Sequence, residues 1–377
     1  MTIGTKLVLT LIIVSACSLS TNAQTQADST KVSKSTMFSV YEEIKTPHKY
    51  GMVMIHEDTS SMIDCATIFR RDSTWFMTYL VYDGKGYETW LAKSDNLLDW
   101  VSLGTLLPYT TKESKEWNQS AGYPALIDYE WGGSYEIEPF NGKYWMSYFG
   151  SNSEGYERGR LSIGMAYTDQ NPYKPHDWSR AEKPVMKTDD VDAGIWESDK
   201  LYKSSVIWDK SRSTGKQFVM YYNAVGDTSS RKNWIERIGM ATSNDMINWE
   251  RYPGNPIIDH QTGLTGDAVI QKMDSVYVMF YYGAFWPEER GDAFDRFACS
   301  YDLVNWTDWL GEDLIKPSES FDSKYAHKPC VIKWNGVVYH FYTAVNQKEQ
   351  RGLAVATSKD IGHSKLDFSK VDIKLRR

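Results

Sequence analysis

A unit that recurs five times along the chain constrains its fold more than any other feature. Each unit opens with a β-rich run around a polar turn and closes with a small-residue strand ending near Asp and Trp. The openings run over Cys65–Leu80, Tyr135–Gly150, Ser205–Asn223, Ala268–Gly283 and Pro329–Ala344. The closings read LAKSDNLLDW, IGMAYTDQNPYKPHDW, IGMATSNDMINW, FACSYDLVNW and a degraded LAVATSKDI. Openings lie roughly 60 to 75 residues apart, and such a period signals a repeat architecture. Each unit holds enough strand signal for four short antiparallel strands, with Asn-Gly hairpin markers at Asn141–Gly142 and Asn335–Gly336. The repeats predict an all-β fold, a five-bladed β-propeller of four-stranded antiparallel blades, whose radial repetition leaves only short, protected sheet edges.

The N-terminus reads as an export signal: Lys6 supplies the positive region, Leu7 to Ala16 is apolar, and a small-residue cleavage site ends at Ala23. The sequence VSAC, Val14 to Cys17, also fits a bacterial lipoprotein signal with Cys17 lipidated. The apolar run is too short to span a bilayer as a helix. The expected organisation is a signal peptide over 1–23, a leader segment over 24–52 and one propeller over 53–377. The Ser/Thr-rich start of the leader is read as flexible, and no segment shows sustained helical periodicity. Export places the protein in the periplasm or at the outer-membrane surface of a bacterium. A formal net charge of −7 without a basic block argues against nucleic acid as a partner. Cys65, Cys299 and Cys330 are too few and too scattered for a disulfide framework and read as small buried hydrophobes.

In a propeller the innermost strand of each blade lines the axis, so polar residues at the starts of these strands converge on one mouth. The sequence places Asp64, Glu136, Glu138, Lys203, Asp267, His327 and Lys328 there. Converging carboxylates suit glycoside hydrolysis, in which one group protonates the leaving oxygen and another activates water or attacks the sugar. A third carboxylate raises the pKa of the acid by like-charge repulsion. Trp117, Trp131, Trp196 and Trp286 lie in or beside the long insertions and are candidates for sugar stacking. No P-loop, HExxH or GxSxG motif is present.

The five repeats, with phrases such as IGMATSNDMINWERYPGNPII and FACSYDLVNW, resemble the five-bladed propeller glycosidases over about residues 60 to 360. These are the arabinanase and β-xylosidase group of glycoside hydrolase family 43, the anhydrogalactosidases of family 117 and the mannoside phosphorylases of family 130. The resemblance implies that Asp64 is the general base and that Glu136 lies near the blade 2 position that tunes pKa and orients substrate. Where family 43 places its acid Glu, this chain has Lys203. Two replacements are open: Glu197, in the WESDK loop with Asp199, or His327, which with Asp267 resembles the family 117 arrangement of a His acid. The resemblance implies an inverting hydrolase of plant or algal polysaccharide, and the long insertions, expected to close one end of the groove, point to exo action on terminal sugars. It requires no cofactor, although some relatives hold a structural metal ion in the central channel. Two other functions compete. Lys203, Lys328 and His327 could form the anion site of a phosphorylase, marked by phosphate-dependent turnover. The missing blade 3 Glu also fits a non-catalytic sugar-binding propeller.

Overall fold

The computed structural model describes residue 1 and residues 30–58, 61–109, 119–151, 153–174, 178–226, 234–287 and 292–370. The expected signal peptide, Cys17 included, lies outside the described residues apart from residue 1. A helix α1 (Lys34–Ile44) precedes strand β1 (His48–Met54). The first blade comprises β2 (Met62–Arg71), β3 (Thr74–Tyr82), β4 (Tyr87–Ser94) and β5 (Val101–Leu107). The second comprises β6 (Ala121–Pro124), β7 (Tyr144–Gly150), β8 (Ser162–Thr168) and β9 (Ser179–Arg180). The third comprises β10 (Lys200–Trp208), β11 (Phe218–Val225), β12 (Glu236–Ser243) and β13 (Trp249–Arg251). The fourth comprises β14 (Leu264–Met273), β15 (Val276–Ala284), β16 (Ala293–Ser300) and β17 (Thr307–Asp308). The fifth comprises β18 (Tyr325–Trp334), β19 (Val337–Val345) and β20 (Arg351–Thr357), with β1 as its outer strand. The five four-stranded antiparallel sheets form a five-bladed propeller, as the repeats predict.

The closing phrase of the repeat has a local physical basis. After the third strand of blades 1, 3 and 4 the chain turns through Leu97, Met246 and Leu303, all buried and at φ of 69°, 69° and 67°. Asn96, Asp245 and Asp302 accept the two backbone N–H groups that follow each of these residues, at 2.7–3.0 Å. Trp100, Trp249 and Trp306 then donate their indole N–H back to the carbonyls of Leu97, Met246 and Leu303 at 3.0–3.2 Å. An Asp or Asn offers an alternative acceptor that holds such a turn closed. The recurring Trp covers the apolar residue forced inward, and so the phrase persists from blade to blade.

The boundary at residue 53 is corrected by the closure of the ring. β1 pairs with β20 from His48↔Thr357 to Met54↔Leu353, so a strand from the start of the chain completes a sheet made at its end. Helix α1 is also part of the fold. Ser33 caps it by accepting the Thr36 N–H at 3.2 Å. Met37, Val40 and Ile44, at helical spacing, pack on Val278, Phe280, Phe297 and Cys299 of blade 4. Trp131 Nε1 and Lys333 Nζ both bond Glu43 Oε1, at 2.8 and 2.5 Å, and pin the helix across the propeller. The segment reads as a linker in sequence because three apolar residues in a Ser/Lys background carry little signal. Their partner surface is more than 200 residues away in the chain. Among the described residues no helix is long and apolar enough to cross a membrane. Since Ile44 is fully buried, Ile44→Ala is expected to cost about 2–4 kcal/mol in urea-unfolding measurements; a flexible leader would leave the midpoint unchanged.

Candidate active site

Four of the inner strands break register at the same place. The shifts fall between Asp64 and Thr67, Tyr202 and Ser205, Gly266 and Val269, and His327 and Cys330. Each carries one residue in the left-handed region: Cys65 at φ 51°, Lys203 at 46°, Asp267 at 56° and Lys328 at 67°. These are bulges, and a bulge re-aims the side chains beside it. Neighbouring blades hold the freed N–H groups. Cys65 N–H donates to Thr343 Oγ1 of blade 5 at 3.2 Å as well as to Asp64 Oδ1 at 3.1 Å. Asp267 N–H donates to Asn223 Oδ1 of blade 3 at 2.8 Å. Beyond these bulges the axial channel narrows to about 90 Å3 with mainly apolar walls; on the other side opens a cleft of about 670 Å3.

The bulges carry charge into the boundary between channel and cleft. Asp64, 3 % exposed, receives Lys328 Nζ at 2.5 Å, Arg351 Nη1 at 2.7 Å and Thr343 Oγ1 at 2.8 Å. Burial pushes its pKa up, but Lys328 and Arg351 outweigh burial and hold the carboxyl well below the usual range. Lys203 Nζ lies 3.3 Å from Glu157 Oε1 and 3.9 Å from Asp267 Oδ1. Burial opposes the charge on Lys203, and these two carboxylates restore it, so its pKa is raised well above that of a free lysine. Asn223 Nδ2 joins Asp267 Oδ1 at 2.8 Å to Glu236 Oε1 at 2.6 Å. Gly266 permits this approach, because a Cβ there would meet Asn223 Nδ2 at 2.2 Å and Glu236 Oε1 at 2.5 Å.

Glu236 differs from the other carboxylates. It is 2 % exposed, accepts the hydroxyls of Tyr202 and Tyr282, and makes no ion pair as close as those of Asp64 and Glu157. Burial raises its pKa; Lys203 and the Tyr202 hydroxyl pull it down, and Asp267 and Glu157 push it up again, leaving it at about 7. Lys203, Lys328 and Arg351 stand beside the carboxyl groups of Asp64, Asp267 and Glu157, and Glu236 is the fourth carboxyl of the group. Glu157 Oε1 is the opposite case: it is buried, makes no hydrogen bond and faces Lys203 across the cleft. The cleft thus holds two carboxyls in different surroundings, Glu236 with a raised pKa and Glu157 beside a lysine, and glycoside hydrolysis uses two carboxyls in different roles.

A solved structure described as "Glycoside hydrolase" is 49% identical, with TM-score 0.86, and the match covers 91% of this chain and all of that one. This chain is a glycoside hydrolase. A second structure, a complex of BT0996 with RGII, is 50% identical over 91% of this chain and 100% of that one, also with TM-score 0.86. A family 117 glycoside hydrolase, Zg3597 from the marine bacterium Zobellia galactanivorans, shares the fold at 17% identity, TM-score 0.57, covering 84% of this chain and 90% of that one. No family model and no curated protein matches the sequence. The expectation of a non-catalytic sugar-binding propeller is thereby corrected.

The hydrolase brings Asp64, Lys203, Asp267, His327 and Lys328 together as the inner-strand argument predicts. Asp64, however, sits behind Lys328 and Arg351 rather than in the wall of the cleft. His327 does line the cleft, and burial, with the adjacent Lys328 after it, holds its pKa well below the usual histidine value, which favours the neutral ring. Neither lysine is free to bind phosphate, because Lys203 and Lys328 are each paired with carboxylates. The same cations oppose a metal ion in this part of the channel by repulsion; among the described residues no cluster of three His, Cys, Asp or Glu could hold one.

Glu136 and Glu138 are not in the site. The inner strand of blade 2 is β6, which puts Tyr123 in the channel wall, while Glu136 bridges to Arg70, about 20 Å along β2 from Asp64. Glu136 is exposed, and Glu138 pairs with Lys210 at 2.5 Å. Glu197 is locked in a one-turn helix (Ile195–Glu197) by Arg251 Nε at 3.1 Å, Tyr222 Oη at 2.9 Å and the Gly194 N–H at 2.9 Å. Trp196 stacks on Tyr222, Trp286 is 3 % exposed and bonds the Leu264 carbonyl, and Trp131 holds α1; all three are packing residues. Trp117 lies outside the described residues. The aromatic residues in the cleft wall are Tyr156, Tyr202, Trp234, Tyr282, Phe285 and Tyr325.

Sequence reasoning missed Glu236 and Arg351, which open the third strands of blades 3 and 5. The signal was present: with the closing phrases aligned, the five blades have Tyr87, Leu161, Glu236, Ala293 and Arg351 at this position, and only two of these are charged. Asp64→Asn is expected to leave Lys328 and Arg351 buried without a counter-charge, at a cost of about 3–5 kcal/mol near neutral pH. Because the folded-state pKa of Asp64 is depressed, its stabilisation is present above the ordinary carboxylate range and lost below it. The difference between wild type and variant in urea midpoint should therefore shrink as pH falls below about 4.

Proposed function

We propose that this hydrolase is an exported bacterial enzyme that removes a terminal sugar from a plant polysaccharide, with RGII, the glycan in the complex of its 50%-identical relative, as the first candidate substrate. Export rests on the leader around Lys6 and the apolar run to Ala16. The observation that carries the mechanism is Glu236, a buried carboxyl with its pKa raised to about 7, in the same cleft as Glu157. Glu236 gives its proton to the glycosidic oxygen as the bond to the anomeric carbon breaks. Glu157 takes a proton from water, whose oxygen bonds to that carbon, and the sugar leaves with inverted configuration. Burial raises the pKa of Glu236 most; Lys203 lowers it and Asp267 raises it again. The presence of the paired Lys203 and Lys328 in the lining of the cleft supports exo action, since side chains held there leave room for a chain end more readily than for a continuous chain. Inversion is carried over from the resemblance to family 43.

A release assay on plant and algal glycans, with and without phosphate, tests the reaction. The expected result is phosphate-independent release of one monosaccharide, with NMR showing the inverted anomer first; retained configuration would overturn the inverting step. Glu236→Gln is expected to lower kcat/KM by about 10²–10⁴-fold. The wild-type rate should fall on the alkaline side with an apparent pKa of about 7, since the acid works only while protonated. The raised pKa also means that ionising Glu236 in the folded state costs stability as pH rises from the ordinary carboxylate range through 7. Relative to wild type, Glu236→Gln should therefore gain thermal stability as pH is raised across that interval. A rate independent of pH from 5 to 9 (a range of about 4 units) would remove Glu236 from the acid role.

A further inference from the structure

Phe285 lies just beyond β15 at the rim of the cleft, and its conformation is costly. Its φ is 61°, in the left-handed region, which a bulky side chain adopts only under constraint. It is also 49 % exposed, so burial of the ring does not compensate. Strain of this kind, held in place by its surroundings, is characteristic of functional sites. The surroundings here are specific. Phe285 N–H donates to the Asp292 carbonyl at 3.2 Å. Gly263 packs beneath the turn so closely that a Cβ would lie 2.3 Å from the Ala284 carbonyl oxygen and 3.0 Å from the Phe285 carbonyl carbon.

The other aromatic rings around the cleft have partners that account for them. Tyr202 and Tyr282 bond Glu236 through their hydroxyls. Tyr156 bonds Arg351 at 3.3 Å and packs on Tyr82 and Tyr87. Phe285 has no polar handle. Its ring meets Tyr325 edge-to-face at 5.9 Å and 86°, which fixes its tilt while half of its surface stays open to the cleft. An exposed, oriented ring without a hydrogen-bonding group suits the apolar C–H face of a pyranose. Glu157 reaches the cleft from blade 2 and Trp234 from blade 3, and Phe285 and Tyr325 come from blades 4 and 5.

We propose that Phe285, oriented by Tyr325, is a stacking platform for the pyranose ring adjoining the sugar that is released, so that it selects oligosaccharides over isolated glycosides. This rests on the exo-hydrolase reading above. The strained backbone aims the ring at the cleft mouth, where the remainder of the glycan must emerge if its end is held at Glu236.

The test compares Phe285→Ala, Phe285→Gly and Phe285→Tyr with wild type on RGII oligosaccharides and on the glycosyl fluoride of the released sugar, which has no neighbouring ring to stack. The expected result is a KM on the oligosaccharide raised about tenfold for Ala and Gly, with kcat unchanged, near-wild-type behaviour for Tyr, and no change for any variant on the fluoride. Phe285→Gly relieves the left-handed strain, so it is expected to melt no lower than wild type while still losing oligosaccharide affinity. A purely structural role would instead lower the melting temperature and impair both substrates. Unchanged KM in Phe285→Ala while wild type cleaves RGII oligosaccharides overturns the platform and leaves the hydrolase reading intact. If wild type spares RGII but releases sugar from another glycan, only the substrate assignment falls. The same variants on that glycan then decide the platform.

Discussion

Around the axis of this propeller, inner strands of four blades leave the extended conformation at one residue, and the site depends on those four departures. A regular strand would point alternate side chains into the channel and the adjacent blade. The bulge inserts a residue and turns Lys203, Asp267 and Lys328 so that they stand between channel and cleft. A left-handed backbone is uphill for a residue other than glycine, and at Cys65 and Asp267 the neighbouring blades offset that cost by accepting the bulge N–H through Thr343 and Asn223. Each clamp crosses a blade boundary, so closing the ring and shaping the site are a single event. The pairing of β1 with β20 therefore matters at the site, far from the outer edge where it occurs.

Electrostatics follows from that geometry. Six charges in a buried shell would be prohibitive separately, but Asp64 with Lys328 and Arg351, and Lys203 with Glu157 and Asp267, make two compact clusters that together cancel. Glu236 is the surplus carboxyl, and burial above all, with Asp267 and Glu157 after it, raises its pKa to about 7. Asp64 holds two cations that would otherwise repel each other, and those cations in turn keep His327 neutral. The charge that each of these groups favours is thus set by its neighbours in space.

The legible part of the fold was what local chemistry repeats. The turn built on Asn96, Asp245 and Asp302 needs one acceptor, one buried apolar residue and one Trp at fixed offsets, so it recurs visibly in the chain. The starts of the inner strands were legible for Asp64, Lys203, Asp267 and Lys328, because each precedes an apolar run that must line the channel. Blade 2 misled, since the segment around Glu136 imitates an inner strand while the real one, β6, is only four residues long. Glu236, Arg351 and Glu157 were hidden because they reach the site from third strands and a loop, and their proximity depends on how blades pack.

The sequence by itself determined the number of blades, their strand content, the convergence of charge at one end of the channel and the kind of chemistry such charge supports. These follow from periodicity and from the cost of placing ionisable residues next to apolar strands. The tertiary structure decided which carboxyl carries the proton, which cations are already satisfied, where helix α1 and strand β1 belong, and which aromatic ring faces the cleft. Those properties depend on distances between residues far apart in the chain, and both desolvation and Coulomb energy vary too steeply with distance for spacing along a sequence to reveal them.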